Sequence, residues 1–593
     1  MSSKRLLVEI AWEVCNQVGG VYTVVRSKVP AARSFWHDNY CLVGPLIAQQ
    51  ALVEFEEQED ESAFCLACKK MRQRGVNVKY GRWLVSGLPS VILIDINSIN
   101  WSQPLYDVGQ YLHINVHSNE LVKQTTVFSF LAQLFVGILA AETPDTTIVA
   151  HFHEWMSSAA VGFLKSIPSV RTVCSTHATI LGRYLASSEA NFYDALPHYN
   201  WQQKATQYNI RSEAEIERQA AHNCDVFTTL CSATDRECEV FLGRQADVLL
   251  PNGLNIQRFT ALHEFQNLHL TFKRKIHEFS IAHFFQSYSF DLDKTLYFFT
   301  SGRFEYRNKG FDLTVAALNQ LNERLRASGS PLTVVFFFVT KRDFESLNPE
   351  VLVSRSLMSE VHRLSAELFT GMKENFFEEL AASQDGRLPD LNRLVSETDR
   401  LRLKRMILHW KKKTLPKIVT HNLRDDRRDE LLNDLRRLQL WNKPEDRVKV
   451  IYHPDFITST NPLFGMDYTE FVRGCHLGVF PSYYEPWGYT PLEAIASGIP
   501  TVTSDLAGFG AYVEQHTPEA RRKPVHIIKR YRRDFFDAAG QLADYMHNFC
   551  QLNRRERIAL RNQTEELSAA FDWQRLYSFY KVAYRKALQS PRK

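Results

Sequence analysis

The densest chemistry in this chain lies in one short run, Tyr483-Tyr484-Glu485-Pro486-Trp487-Gly488-Tyr489-Thr490-Pro491-Leu492-Glu493-Ala494. Two carboxylates, Glu485 and Glu493, are separated by seven residues that include a glycine, two prolines and two aromatics. Pro491 suits the opening of a helix near Thr490, which leaves Glu485 in a loop and puts Glu493 in the first helical turn. One acid can then meet a sugar and the other ribose hydroxyls, while the helix amino end faces phosphate. A second group is Gly302-Arg303-Phe304-Glu305-Tyr306-Arg307-Asn308-Lys309-Gly310. Arg303 as a planar fork and Lys309 as a point charge suit a diphosphate; a pair of surface salt bridges is the alternative.

Two further segments are weaker on their own. Ser175-Thr176-His177-Ala178-Thr179 is followed by Arg183; a histidine at a strand end and an arginine in the next helix can face one cleft, or His177 can be a satisfied core histidine. In Asn16-Gln17-Val18-Gly19-Gly20-Val21-Tyr22, Gly19 and Gly20 let the backbone approach a negative ligand, although a plain tight turn explains them equally.

Three patterns suggest metal and are read otherwise. His151-Phe152-His153-Glu154 ends a strand without a further ligand pair, so cleft-lining hydrogen bonds are expected. Asp291-Leu292-Asp293 precedes a strand and reads as a turn, and Cys65 with Cys68 lacks a second Cys pair and reads as surface thiols. No metal is expected.

These segments need strand ends to hold them. Short β-rich runs alternate with helical patterns, as in parallel sheets built from βαβ units. Strands are expected at Leu6–Ile10, Thr147–His151, Thr172–Thr176, Val226–Leu230 and Val248–Pro251, with helices from near Val21, at Leu121–Glu142 and at Glu213–His222. A second series runs through Leu296–Ser301, a helix at Leu313–Ala327, Leu332–Thr340, Val448–Tyr452, Leu477–Pro481, Pro500–Ser504 and Val525–Ile528. The fold class is α/β, two Rossmann-like domains facing an interdomain cleft. Residues 1–258 form the first, completed by the terminal helix 572–593, and 259–571 the second. Between them in character, residues 342–446 are rich in Leu, Arg, Glu and Asp with almost no strand signal. This reads as a helical insertion, either a solvated hairpin or an oligomer contact. Ligands of such sheets bind outside the carboxyl ends of the strands, where the unusual residues fall.

The totals agree with an enzyme of this kind. With 593 residues, 45% hydrophobic and 23% charged, the chain is too long for one core, and a net charge of +5 gives no sign of a nucleic-acid or membrane partner. Ten cysteines without an export signal point to a reducing, cytoplasmic setting.

Taken together, the paired glutamates in their aromatic setting, Arg303 and Lys309, the His177–Arg183 segment, the Gly19-Gly20 turn and Pro251-Asn252-Gly253-Leu254-Asn255 resemble the animal and fungal glycogen synthases from about Leu7 to Trp573. The resemblance implies a GT-B fold and a retaining transfer of glucose from UDP-glucose to an α-1,4-glucan, without a cofactor or metal. It implies that Arg303 and Lys309 meet the diphosphate, Glu493 the ribose and Tyr468 the uracil. Gly19, Gly20, Trp487, Gly488, Tyr489 and Thr490 complete the nucleotide-sugar site, and His177, Arg183 and Glu485 surround the transferred glucose. It further implies a glucose 6-phosphate activator site from His263, Gln266, His269, Lys273, His476, Arg557 and Arg561. Glycogen and a second, third and fourth copy of the chain are the implied partners, with a priming protein as a further candidate.

Three positions depart from the family pattern. Gln17 replaces a basic residue before the Val-Gly-Gly turn, which leaves a catalytically silent glucan-binding homologue as the rival reading, beside an enzyme of the same fold with another donor or a small acceptor. Gln563 and Glu566 interrupt the arginine row, and no Ser/Pro-rich tail is present, so control by sugar phosphate is expected rather than by phosphorylation.

Overall fold

The computed structural model describes residues 4–47, 49–256, 265–382 and 388–591, without the side chains of 49, 50, 265, 266 and 520. In chain order the first sheet is built from β1 (Lys4–Ala11), β2 (Tyr40–Pro45), β3 (Phe55–Glu57), β4 (Val78–Trp83), β5 (Ser90–Ile94), β6 (Thr146–His153), β7 (Val170–Thr176), β8 (Val226–Thr229) and β9 (Val248–Leu249). Their order is β3-β4-β5-β2-β1-β6-β7-β8-β9, parallel except where β4 pairs with β3 and β5. The central strands are buried over most of their length, because helices cover both faces. One of these, Glu120–Glu142, is apolar nearly all round, and 67% of its most apolar window is buried, as a core helix requires.

The second sheet contains β10 (Thr295–Arg303), β11 (Thr333–Lys341), β14 (Val448–His453), β15 (Leu477–Val479), β16 (Thr501–Ser504) and β17 (Val525–Ile528). It is wholly parallel in the order β14-β11-β10-β15-β16-β17. The segment after β11 is helical as expected but has more strand than the expected near absence. It contains the antiparallel pair β12 (Phe344–Leu347) and β13 (His421–Leu423) at the base of two helices, Pro349–Ala382 and Glu397–Trp410. The helix Glu430–Arg437 lies back on the second sheet, burying Leu431, Leu432 and Leu435 in its core. Short strands of three or four residues give too little alternation to be seen in a sequence.

The terminal helix Trp573–Gln589 crosses back to the first sheet. Trp573 Nε1 donates to Ser27 Oγ at 2.8 Å, and Trp36 Nε1 donates to Tyr577 OH at 3.0 Å. The ten cysteines are free and buried. Cys65 and Cys68 are therefore not surface thiols: on the helix Ala63–Gln73 they share the inward face with Phe64, Ala67 and Met71, and burial pushes the Cys68 thiol up to about 12. Asp291 makes the turn before β10, its Oδ1 accepting from the Asp293 amide at 2.9 Å.

Candidate active site

On the second-sheet side, β15 runs into the loop that carries Glu485. Two close approaches shape it. Gly310 (φ 70°) lies so near the Pro481 carbonyl that a Cβ would sit 2.2 Å from its oxygen, and Gly488 (φ 110°) turns the chain into the helix Tyr489–Ala496. The loop backbone is tied to the segment after β16: Gly508 N donates to Glu485 O at 2.9 Å and Phe509 N to Trp487 O at 2.7 Å. Glu485 is thereby held against Lys309, which forms an ion pair with it; their side chains are 15% and 17% exposed. The Lys309 stem lies over Gly302, 3.5 Å from where a Cβ would stand.

Arg303 does not share the partner of Lys309. Its side chain is 75% exposed and pairs with Glu305 at 3.2 Å, so only one of the two expected cations touches the acidic loop. Glu493 lies one turn into the helix, and Tyr489 and Tyr468 feel its charge. Tyr468, half-buried at the start of the helix Tyr468–Gly474, shares a 2.5 Å hydrogen bond with Ser301 Oγ at the carboxyl end of β10. Trp487 faces inward, packed against Phe509 and Tyr512, and Tyr489 lies against the same hydrophobic cluster. Their rings serve packing here. Thr490 is the second residue of the helix whose amino end Gly488 caps.

On the first-sheet side, His177 follows β7 and Glu154 follows β6. Glu154 has φ 63°, an unusual backbone for a non-glycine residue at a strand end. Its Oε1 accepts from His177 N at 3.1 Å and lies 3.7 Å from Arg183. Burial pushes the Glu154 carboxyl up to about 7, opposed by Arg183 and the His177 amide. Two more acids lie beneath. Glu217 accepts from Ile180 N, and Glu237 accepts from Thr179, Tyr193 and Tyr484; burial raises both above the usual carboxylate range, Glu237 to about 7.

Tyr484 joins the two sides. Its hydroxyl donates to Glu237 Oε2 at 3.3 Å, Tyr193 N donates to Tyr483 OH at 3.3 Å, and Asn308 Nδ2 donates to Ser187 Oγ at 3.1 Å. The carboxyl ends of the two sheets therefore meet across one cleft.

At the Gly19-Gly20 turn, Glu13 Oε2 accepts from Gly19 N at 2.7 Å and Tyr22 N at 2.9 Å. Two amides are already engaged by a carboxylate, while a Cβ on Gly20 would meet nothing within 4 Å. Gln17 is exposed beside it.

His151 and His153 do not line the cleft; both are buried behind it. Period-two alternation puts them on one face of β6, where Glu9 of the adjacent strand is buried as well. The ligand atoms of Glu9, His151 and His153 are close enough for a metal ion. Each is already used, however: Glu9 binds Lys28, and His151 bonds Ser175 Oγ at 2.7 Å and Tyr584 OH at 3.0 Å. An ammonium in this group replaces a cation rather than inviting one. Glu9, Glu13, Lys28, Glu217 and Glu237 were not legible as site residues; the available signal was a charge inside an apolar strand and another on the buried face of a helix.

A second basic cluster lies beside β10, where Tyr297 N donates to His476 Nδ1 at 3.0 Å. His269 Nδ1 bonds the Arg473 carbonyl at 2.8 Å and its ring meets His476 edge-on at 5.0 Å. Burial, then Arg557 and Arg554, hold the Arg561 guanidinium down to about 10, and burial with Arg557 lowers Lys273. His269, Lys273, His476, Arg557 and Arg561 thus converge with mutual repulsion. Of the remaining expected members, His263 and the Gln266 side chain lie outside the described residues.

The family model described as glycogen synthase matches residues 9–592. The chain is 41% identical over 593 residues to the glycogen [starch] synthase of Neurospora crassa, covering 99% of this chain and 84% of that protein. It is 40% identical over 603 residues to that of Caenorhabditis elegans, covering 99% and 88%. Among solved structures, the catalytic domain of starch synthase IV from Arabidopsis thaliana, bound to ADP and acarbose, is similar with a TM-score of 0.52 at 12% identity, covering 99% of this chain and 100% of that one. That likeness is one of fold, GT-B.

Proposed function

The chain belongs to the glycogen synthase family, and on that premise we propose that it transfers glucose from UDP-glucose to the 4-hydroxyl at the non-reducing end of an α-1,4-glucan with retention at the anomeric carbon. The observation that carries this reading is the Lys309–Glu485 pair at the amino end of the helix Tyr489–Ala496, facing Glu154, Arg183 and His177 across the cleft. The acceptor hydroxyl attacks the face that UDP leaves, through an oxocarbenium-like state, and the departing phosphate takes the proton. Lys309 and the helix amino end meet the growing phosphate charge, and Arg303 joins them by turning from Glu305. That turn is cheap, since an exposed pair contributes about 1 kcal/mol or less. With these charges in place the diphosphate needs no divalent ion. Glu485 positions the glucose and faces the positive sugar; it is not assigned as a covalent nucleophile.

Activation by glucose 6-phosphate is part of the same proposal. What supports it is the convergence of Lys273, Arg557 and Arg561, partly buried beside His269 and His476; a phosphate relieves their repulsion through charge-assisted hydrogen bonds. The exposed Phe369 and Phe377 on the helix Pro349–Ala382, 68% and 70% accessible, support a homotetramer built on that segment.

The test is UDP release from UDP-glucose with and without glycogen, and with and without glucose 6-phosphate. Glycogen-dependent release is expected. An Arg303→Ala variant with near-normal kcat defeats the mechanism, and an unchanged rate with glucose 6-phosphate defeats the activator.

A further inference from the structure

Behind the cleft floor a line of hydrogen bonds ends at His177. Tyr40 OH donates to Glu9 Oε2 at 2.5 Å, and Lys28 donates to Oε1. His153 Nε2 lies 2.7 Å from the same Oε1, and its Nδ1 lies 2.9 Å from His177 Nε2. Glu9, Lys28 and His153 are buried on all sides, and Lys28 also rests over the Tyr580 ring at 4.2 Å.

The ionisation states follow from these surroundings. Burial alone would raise Glu9, but Lys28 and the His153 hydrogen bond outweigh it and keep the carboxyl well below its ordinary range. Burial lowers both His153 and His177, so each ring is neutral and carries one N–H. A carboxylate only accepts, so His153 must hold its proton on Nε2. Its Nδ1 is then an acceptor, and only His177 Nε2–H can supply the hydrogen between the rings. His177 is left with a lone pair on Nδ1, which no hydrogen bond reaches among the described residues.

We propose that Glu9 and His153 are positioning residues that lock His177 in its Nε2–H tautomer, so that Nδ1 accepts a hydrogen bond from a hydroxyl of the bound glucosyl donor. The bond made by one ring nitrogen decides the role of the other. Lys28, paired with Glu9 Oε1, favours the ionised carboxylate that accepts from His153. The kinetic half of this inference rests on the transferase reading; the tautomer half does not.

Two measurements test it. Neutron diffraction from deuterated crystals of the unliganded protein reads the tautomer directly. Deuterium on Nε2 of His153 and His177, with none on either Nδ1, is expected, and deuterium on His177 Nδ1 overturns the proposal. The double variant Glu9→Leu/Lys28→Met removes the acceptor of His153 Nε2–H and both charges together, which avoids stranding a buried ammonium, and its fold is checked by its melting temperature. In this variant kcat/KM for UDP-glucose should fall about 10- to 100-fold with little change in the KM for glycogen. The penalty for using the monodeoxy UDP-glucose that suffers most with the native enzyme should shrink to near unity. An undiminished deoxy penalty overturns the positioning role. If the native enzyme releases no UDP, the function fails, and the neutron result still decides the tautomer. Should the double variant not fold, His153→Phe, which removes the acceptor of His177 Nε2–H and leaves the Glu9–Lys28 pair in place, replaces it with the same deoxy readout.

Discussion

Gly20→Ala separates the two explanations of the Gly-Gly turn. Gly20 opens the helix Gly20–Trp36, is exposed and has no positive φ, and a Cβ there meets nothing within 4 Å. The folded chain can therefore take alanine without strain, and the loss of unfolded-state freedom stabilises it by about 0.4–1 kcal/mol. For a chain of this length the melting temperature should rise by no more than ~2 °C. If the donor approaches the turn, the same methyl group fills space that the ligand uses. Overfilling a packed contact costs about 1–3 kcal/mol, a factor of roughly 5 to 150 in kcat/KM for UDP-glucose. Initial-rate kinetics with varied UDP-glucose at saturating glycogen, beside a thermal melt, gives both numbers. An unaltered kcat/KM with an unaltered melt refutes the ligand reading and leaves a turn capped by Glu13. A lowered melting temperature refutes the steric reasoning itself.

Lys309→Met should lower kcat by about 10²–10³, the usual loss for one preorganised charge at a developing anion, whereas Glu305→Gln should change it less than about fivefold because its pair with Arg303 is exposed; steady-state UDP release measures both. Gly310→Ala should cost at least about 2 kcal/mol in urea denaturation, from φ 70° plus a Cβ 2.2 Å from the Pro481 oxygen, while Gly329→Ala, with φ 61° and open space, should cost only about 1–2 kcal/mol. Glu237 is raised from 4.5 to about 7 by burial, so the folded state holds a proton the unfolded chain has lost. The stability this brings is complete below about pH 4.5 and disappears as pH rises through 7. Glu237→Gln should therefore gain on the native protein by roughly 1–3 kcal/mol between pH 5 and 8, read from urea midpoints at the two values; a constant difference contradicts the raised pKa.

Much of the architecture was legible because parallel strands buried on both faces read as apolar runs, as in β10 and β11. β3, β12 and β13 were not, being three or four residues long and partly exposed, and the longer strands β2, β4 and β5 are also absent from the expected strands, although β2 and β5 are buried throughout. At the site, glycines and charges near strand ends led to Glu485, Lys309 and His177. Direction was the missing information. Nothing in the spacing of Arg303 and Lys309 shows that one turns to solvent and the other to Glu485, nor that Trp487 packs inward while Glu485 faces the cleft. The burial of Cys65 and Cys68 was hidden by the charged residues on the outer face of the same helix.

The acidic loop owes its position to both domains. Its backbone is fastened to residues 507–509 of the second sheet's side, yet Tyr483 and Tyr484 bond Tyr193 and Glu237 on the first, and Cys231 Sγ contacts the Pro486 carbonyl at 3.5 Å. Glu485 lies between these anchors. A change in the separation of the domains must therefore either break the tyrosine contacts or drag Glu485 relative to Lys309. The second is costly because the pair is largely desolvated, and a buried pair separated from its partner loses several kcal/mol. The tyrosine bonds, near 3.3 Å and neutral or singly charged, are weaker. Opening should then break Tyr484–Glu237 first and leave Lys309–Glu485 intact, so Lys309 and Glu485 travel together with the second domain, and the first domain's Arg183, Glu154 and His177 meet them only on closure.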